Sequence, residues 1–269
     1  CNNALRMINE NLTSLRCKSP AGIISEIKQV KKLHPFLKYV YFADDTFFAL
    51  SEDQILSFAA LYKKEIGIPF IVTGLHPNVF SEKKVQSLID CGMIRTRMGI
   101  QSGSKDMLKR NKGRLVMPSY DIILDNPWET KEDKLQTIRL LSKLSSPFSL
   151  NLFSLVFFPG TDLYHKAVGE GLVTDEQHYK HYHSIQPTYL NLITSLFGLF
   201  KVPQWLLSIL LDEKRVNTER RFTLLHKIVF HLTMFRKGLA CLAHREYSVF
   251  PPKLRASFVK VLPPKVNVK

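Results

Sequence analysis

The sequence is poor in cysteine, glycine and acidic residues, and each shortage excludes a class of protein. Four cysteines in 269 residues, at unrelated spacings, exclude the dense disulfide framework of small secreted domains and favour a reducing cytoplasm. Twelve glycines and fourteen prolines exclude collagen-like and low-complexity chains. The composition, 45% hydrophobic, is sufficient for one large or two modest domains with a hydrophobic core.

Acidic residues are few, and the excess of basic over acidic residues is concentrated late in the chain. The net charge is +15, and after residue 200 there are fourteen Lys and Arg against four Asp and Glu. Two interpretations stay open. The excess is either a solvated basic surface or a surface that contacts phospholipid headgroups or nucleic acid.

The chain also lacks an uninterrupted apolar run of membrane-spanning length in its most hydrophobic late region. Residues 189–211 are interrupted by Lys201, Pro203 and Gln204, so we predict two short helices that are separated at Pro203. Residues 220–245 carry apolar and basic side chains at helical spacing, which predicts a basic amphipathic helix. Such a helix suits an anionic membrane surface or a cap packed on the rest of the protein, and the sequence favours neither.

Five short runs rich in β-branched and aromatic residues predict strands. Helical patterns lie between them, and several begin at a Ser or Thr that can cap the first turn. Because parallel neighbours need a long crossover connection, this alternation predicts an α/β fold with parallel strands. The predicted strands cover residues 38–42, 68–73, 94–100, 119–124 and 148–158.

A helical pattern also precedes the first predicted strand, beginning at Pro20. The opening strand of a regular series would therefore lie before Cys1. We predict a partial (β/α)6 TIM-like barrel over residues 1–185 that lacks its first strand. A basic, apolar helical extension is predicted over residues 186–269.

Polar side chains follow each predicted strand, at the carboxyl end where α/β enzymes place their sites. Asp44 and Asp45 end an apolar run, where two carboxylates are costly unless they are used. A local turn or helix cap would also favour Asp at these positions. A hydrolytic metal site of Asp44, Asp45 and Asp125 is disfavoured, because no further histidine or carboxylate completes a ligand set.

Five segments, taken in order, resemble the radical S-adenosylmethionine enzymes, in particular the group with an upstream cobalamin-binding domain. The resemblance covers Cys1 to about Leu172. It rests on CNNALR at residues 1–6, FADDTF at 42–47, RMGIQSGS at 97–104, YDIILDNPWET at 120–130 and FFPGTDLY at 157–164.

The resemblance implies a [4Fe-4S] cluster bound by a CxxxCxxC motif, of which Cys1 matches the last cysteine. Thiolates suit this role because they are soft, anionic ligands. The other two cysteines would precede Cys1, so we expect the chain to be a fragment that does not hold the cluster alone. S-adenosylmethionine would complete the cluster's coordination, and Asp44 or Asp45 would accept a hydrogen bond from its amino group.

The next strand ends are implied to supply further contacts with S-adenosylmethionine. Arg97 would pair with the methionyl carboxylate, although an Arg at the rim of the sheet explains the same position. Residues 104–118 form a shorter connection than is usual in the family, which is consistent with a deletion. The other implied contacts are Gln101, Ser102 and Ser104, toward the ribose and carboxylate, and Asp125 and Asn126, at the rim of the adenine site.

The implied chemistry is reductive cleavage of the sulfonium to a 5′-deoxyadenosyl radical, which abstracts hydrogen from substrate. In the cobalamin group this often leads to methyl transfer, although no cobalamin site is visible here. We expect a small-molecule or lipid-like substrate and a cytoplasmic protein that contacts the inner face of the membrane through its extension. The alternatives are an RNA methylthiotransferase, disfavoured because no added RNA-binding module is evident, and a non-enzymatic basic protein that docks on membranes.

Overall fold

Five parallel strands form one sheet in the computed structural model, which describes residues 18–44, 47–75, 79–99, 118–144, 148–173 and 184–244, together with Leu254. Neighbouring strands pair in chain order, and all four pairings are parallel. The predicted α/β fold is therefore confirmed. Within the described residues no strand pairing closes the sheet into a barrel. The strands are β1 Val40–Phe42, β2 Phe70–Leu75, β3 Met93–Gly99, β4 Ser119–Leu124 and β5 Ser149–Ser154.

The predicted strands are at the right places, but their bounds shift by a few residues. β2 continues to Leu75, two residues beyond the prediction, and β5 ends at Ser154, four residues before it. The apolar residues after Ser154 lead instead into a turn at Gly160, whose φ of 79° lies in the left-handed region.

The helices begin at the caps that the sequence predicts. Ser51 and Gln54 form a complete capping box, and Thr130 forms one with Asp133. Gly67 has a φ of 65°, the left-handed conformation expected just beyond the end of a helix. The helices with predicted starts are α1 Pro20–Leu33, α2 Glu52–Glu65, α3 Glu82–Asp90 and α4 Lys131–Lys143. A fifth helix, α5 Asp162–Gly169, was not predicted.

One face of the sheet, which we call the outer face, packs against the crossover helices. Its centre is an aromatic cluster in which Phe42 of β1 and Phe70 of β2 meet Phe58 and Tyr62 of α2. The ring centroids of Tyr62 and Phe70 are 4.6 Å apart. Burial raises the pKa of Tyr62 above its usual range, which keeps the hydroxyl neutral.

Over its described residues up to 244, the C-terminal extension forms four helices, and the predicted break at Pro203 is confirmed. Ile193, Phe197 and Val202 belong to the same buried cluster as the core of the sheet. The first of these helices packs against α4, so the extension shares the main core. The division at residue 185 stays a prediction. The four helices are α6 Tyr189–Leu196, α7 Gln204–Leu210, α8 Glu213–Val216 and α9 Thr223–His244.

The long helix α9 crosses the opposite, inner face of the sheet. Lys237 Nζ donates to Asn151 Oδ1 of β5 at 2.8 Å, and Arg236 Nη2 donates to the carbonyl oxygen of Phe148 at 3.0 Å. Of the two roles that the sequence left open for this segment, the structure shows the cap on the sheet. Among the described helices, none combines the length and hydropathy needed to cross a bilayer.

Candidate functional site

The structure places some of the predicted site residues at the carboxyl edge of the sheet, where the ends of all five parallel strands lie. Asp44 follows β1, Asp125 and Asn126 follow β4, and Arg97 lies within β3. The remaining predicted ligands fall outside the described residues, so their positions stay predictions. These are Cys1, Asp45, Gln101, Ser102 and Ser104.

Asp44 is exposed immediately beyond the end of β1. The hydroxyl of Thr73 on β2 donates to the carbonyl oxygen of Phe42 at 3.1 Å and lies 3.4 Å from that of Asp44. The neighbouring strand therefore fixes the backbone that presents this carboxylate. An exposed carboxylate can accept hydrogen bonds from an ammonium group, and its role toward S-adenosylmethionine stays a prediction.

Asp125 joins the end of β4 to the C-terminal extension. Its φ of 62° is unusual for a residue other than glycine, although Asp tolerates it better than most. Oδ2 accepts from the backbone N–H of Gln186 at 3.0 Å, and Oδ1 accepts from Asn191 Nδ2 at 2.7 Å. Both carboxylate oxygens are therefore engaged within the chain, and the predicted contact with the adenine site is not tested.

Asn126 forms a local turn. Its Oδ1 accepts from the backbone N–H of Trp128 at 3.1 Å, a side-chain turn of the kind that Asn favours. Trp128 Nε1 in turn donates to Glu170 Oε2 at 2.7 Å, which connects this turn to the end of α5. The contact explains Asn126 structurally, and its predicted role beside adenine also stays a prediction.

Arg97 forms an ion pair across the inner face. Its Nη2 lies 2.8 Å from Asp121 Oδ2, and its Nε donates to Asp121 Oδ1 at 3.3 Å. Burial acts to lower the pKa of Arg97, but the Asp121 carboxylate and, to a smaller extent, Tyr41 together outweigh it, so the pKa lies above its usual value. The carboxylate that Arg97 binds in this structure thus belongs to β4, and pairing with a cofactor carboxylate is a separate, untested prediction.

The Asp121 carboxylate also belongs to a polar network that spans β4, β5 and α9. Asn151 Nδ2 donates to Asp121 Oδ1 at 2.7 Å and to Ser119 Oγ at 2.9 Å, and its Oδ1 accepts from Lys237. Asp121 and Asn151 are register partners on adjacent strands. The network therefore joins the cations of Arg97 and Lys237 through one carboxylate and one amide.

A cavity of about 1160 Å³ lies between this polar face and α9. Its volume is slightly above the ~300–1,000 Å³ typical of small-molecule sites. Its walls include apolar side chains from both the sheet and the helix. None of the described residues that line it carries a carboxylate, whereas four are Arg or Lys: Arg95, Arg97, Lys227 and Lys237.

His226 of α9 also lines this cavity. Its Nε2 donates to the carbonyl oxygen of Thr188 at 3.3 Å, since a carbonyl can only accept. Burial lowers the pKa of His226, while the Thr188 carbonyl and the Asp125 carboxylate partly oppose that shift. At neutral pH the folded protein therefore favours the neutral imidazole.

The sequence reading did not identify Arg95, Asp121, Asn151 or Lys237 as site residues. A signal for the first three exists, because side chains alternate between the two faces of a strand. In MIRTRMG of β3, Arg95 shares a face with Arg97, and SYDIIL and SLNLFS place Asp121 and Asn151 likewise. No comparable signal identifies Lys237, because the helical pattern does not show which residues meet the sheet.

Cys91 provides no metal ligand. The side chain is only 5% exposed, and its Sγ donates to the carbonyl oxygen of Leu88 at 3.2 Å. Burial raises the pKa of Cys91 to about 12, so it is a thiol at neutral pH. Its predicted place in the core is confirmed. In the described parts of the chain, no group of three or more His, Cys, Asp or Glu side chains is placed to hold a metal ion.

Comparisons with known proteins find similarity only among solved structures. No protein-family model and no curated protein matches the chain. The methyltransferase TsrM from Kitasatospora setae, a radical S-adenosylmethionine enzyme, is 11% identical with a TM-score of 0.42; the match covers 57% of this chain and 33% of TsrM. Coproporphyrinogen III oxidase HemN from Escherichia coli, also such an enzyme, is 15% identical with a TM-score of 0.41, over 61% of this chain and 46% of HemN.

The cobalamin-dependent S-adenosylmethionine radical enzyme OxsB matches over 91% of this chain and 46% of its own, with 13% identity and a TM-score of 0.44. The chain thus spans less than half the length of each of these three proteins. All three are radical S-adenosylmethionine enzymes. Identities and TM-scores this low carry no argument about the family or activity of this chain.

Proposed function

We propose that these residues form the parallel-sheet core of a radical S-adenosylmethionine enzyme. The observation that supports the proposal is the agreement between motif order and strand order. Three of the five resembling segments include the end of a strand, at β1, β3 and β4, and a fourth begins three residues after β5 ends. All four strands are parallel members of one sheet, in chain order. In its finer form, the proposal is a cobalamin-dependent methyl transfer or related radical modification of a small-molecule or lipid-like substrate.

The described residues fit S-adenosylmethionine better than they fit the iron–sulfur cluster. The described residues do not supply a cluster site, since Cys91 is a buried thiol and Cys1 lies outside them. S-adenosylmethionine, when bound, supplies the adenosyl group. Toward it the chain offers the exposed carboxylate of Asp44, which would hold its ammonium group at the carboxyl edge of the sheet.

The test uses the complete natural protein that contains this chain. Anaerobic incubation with iron and sulfide should produce the visible absorbance of a [4Fe-4S] cluster, and addition of reductant and S-adenosylmethionine should release 5′-deoxyadenosine. Cys1→Ala should abolish both signals, because one of three thiolate ligands is lost. The matched control is Cys91→Ala, which removes a buried thiol and should leave both signals intact. Absence of both signals from the unmodified protein, or their persistence in Cys1→Ala, would refute the proposal.

A second function, contact with an anionic membrane surface on the cytoplasmic side, is favoured by the outward side of α9. Five large apolar side chains recur there every three or four residues and are each about half exposed or more. This spacing places them along one side of the helix. We call this set the outer stripe: Leu225, Ile228, Leu232, Phe235 and Leu239.

The charge beside the outer stripe favours anionic lipid as its partner. Residues 223–244 contain no Asp or Glu, and Arg220, Arg221 and Lys227 are exposed near the beginning of the helix. A second copy of this chain would bring like charges together on the two stripes. An anionic lipid surface would instead attract the basic residues while the apolar side chains enter the headgroup region.

Sedimentation with vesicles tests this second function. The protein should bind vesicles that contain anionic phosphatidylglycerol and not vesicles of zwitterionic phosphatidylcholine. Phe235→Ala should weaken binding several-fold, because a large apolar contact is lost. Phe36→Ala is the matched control, since Phe36 is also largely exposed but lies outside the extension. Equal binding to both vesicle types, equal effects of the two variants, or a stripe-dependent dimer without vesicle binding would each contradict the proposal.

A further inference from the structure

The cavity beneath α9 combines positive charge with apolar walls. Arg95 and Arg97 extend from β3 on one side, and Lys227 and Lys237 from α9 on the other. The nearest carboxylate of the polar network, Asp121, pairs with Arg97 and does not line the cavity. Among the described residues, the walls of the cavity carry four Arg or Lys side chains and no carboxylate, so this lining is positively charged. In a partly enclosed space with low-dielectric walls, such a lining attracts and concentrates anions.

The charges on α9 are separated by apolar residues. Lys227 and Lys237 are ten residues apart, which corresponds to about 15 Å along the helix. Phe230 and Met234 lie between them and also line the cavity, together with Ile71 of the sheet. An occupant would therefore contact hydrophobic surface along its length and positive charge near its end. A small inorganic anion would leave most of these walls without contact.

The polar network positions two of the four cations before any ligand binds. Asp121 holds the guanidinium of Arg97 through two contacts, and Asn151 holds the ammonium of Lys237. Because both groups are positioned within the folded protein, binding would not require them to lose conformational freedom. The cavity thus has two positioned cations, Arg97 on the sheet and Lys237 on α9.

We propose that this cavity binds an anionic amphiphile, a molecule with a carboxylate or phosphate group on an extended apolar body. As the substrate class of the radical reaction, this inference rests on the proposed function. As a binding site it does not, because the cavity is lined without any contribution from a cluster or from S-adenosylmethionine. A negative cluster assay and a negative binding assay can therefore be told apart.

The experiment is calorimetric titration of the intact protein with twelve-carbon probes below their micelle concentrations. Dodecanoate and dodecyl phosphate carry the two candidate anionic groups, dodecanol has the same chain without charge, and inorganic phosphate has charge without a chain. We expect both anionic probes to bind about tenfold or more tightly than dodecanol and inorganic phosphate. The tighter of the two anionic probes identifies the headgroup.

Two lysine variants connect the binding to this cavity. Lys237→Met should weaken dodecanoate binding about tenfold, because a positioned cation is lost from a partly enclosed site. Lys227→Met should weaken it about two- to fivefold, because that lysine is exposed, and it breaks no internal contact of the polar network. Lys64→Met removes an equally exposed lysine from α2, across the sheet, and should change nothing.

Thermal unfolding of each variant verifies that it is folded before titration. If Lys237→Met unfolds, Lys227→Met alone decides the result. Equal affinity for dodecanoate and dodecanol would overturn the proposal, because charge would play no part. Equal affinity for inorganic phosphate would also overturn it, because the apolar walls would play none. Loss of affinity in Lys64→Met equal to that in the cavity variants would show that only the overall charge matters.

Discussion

The two faces of the sheet are covered by different means. The outer face carries Phe70, Val72, Tyr120 and Ile122, all nearly inaccessible, against the crossover helices. The inner face carries arginine, aspartate and asparagine, and the later helix α9 covers it while leaving a large cavity. Two parallel strands need a long crossover connection, which is usually a helix, so a helix-covered outer face follows from the topology itself. In the part of the chain that the structure describes, it is the returning extension that covers the inner face.

Removal of a large aromatic side chain from the outer core should have the largest effect. Phe58→Ala should lower the free energy of unfolding by about 3–5 kcal/mol, because Phe58 is fully buried among four other aromatic rings. Phe153→Ala on the inner face is the matched control, and it should cost clearly less because Phe153 is 37% exposed. Urea unfolding measures both. Equal losses would show that the two faces do not differ in their contribution to stability.

The polar network of the inner face should contribute less than the outer core. Asp121→Asn should lower the free energy of unfolding by about 1.5–3 kcal/mol, because Arg97 loses its charged partner. The Arg97 and Asp121 side chains are 33% and 25% exposed, so solvent screening keeps the loss below that of a fully buried pair. Asp53→Asn, at an exposed position in the first turn of α2, should cost under about 1 kcal/mol. If the two variants lose equal stability, the network has no special role.

The contact between α9 and the turn after α6 gives a third, smaller effect. A Cβ added at Gly198 would lie 3.0 Å from the carbonyl oxygen of Ser195 and 3.1 Å from Thr233 Cγ2. Gly198→Ala should therefore lower the free energy of unfolding by about 1–2 kcal/mol. Gly169→Ala is the matched control, since a Cβ there meets nothing within 4 Å.

Thr233→Ser tests the steric origin of that effect. It removes the methyl group near Gly198 and keeps the hydroxyl that donates to the carbonyl oxygen of Val229. Combined with Gly198→Ala, it should recover part of the lost stability. If Gly198→Ala proves as harmless as Gly169→Ala, α9 is not held closely at this turn.

The same contrast explains how far the sequence could predict this fold. Strand alternation, capping residues such as Ser51 and Thr130, and the break at Pro203 are local signals, and each of these predictions is confirmed. The strand ends shifted because local propensity does not show where a neighbouring strand stops pairing. The packing on the outer face of the sheet can therefore be predicted from patterns within short segments.

The contacts of the candidate site are harder to predict from local sequence signals. Lys237 and Asn151 are 86 positions apart, and their contact depends on how the extension returns across the sheet. Asp125 is similar, because its partners Gln186 and Asn191 belong to the extension and not to the adjacent strand end. A local motif indicates that a polar residue lies near the edge of the sheet, but long-range packing determines what that residue binds.

The smallest expected effect is a pH dependence of the free energy of unfolding, which arises where α9 packs over the inner face. Burial lowers the pKa of His226 in the folded protein below the ordinary value of a histidine, about 6.5. The unfolded chain therefore binds more protons than the folded one just below that pH, so stability should fall as the pH falls from neutral. The fall should end once the pH lies below the lowered pKa, where both states are protonated. Its size is limited because the Thr188 carbonyl and Asp125 partly oppose the effect of burial.

Urea unfolding of the wild type and of His226→Gln at a series of pH values measures this pH dependence of stability. Glutamine stays neutral and keeps an N–H that can donate to the carbonyl oxygen of Thr188, so the variant should lose less stability between neutral and mildly acidic pH. His231→Gln, at an exposed position of the same helix, should retain the wild-type slope. Identical slopes in all three proteins would mean that protonation of His226 does not weaken the contact of α9 with α6. The inner face would then resemble the outer one in its response to acid, and the contrast between them would rest on charge pairing and cavity volume alone.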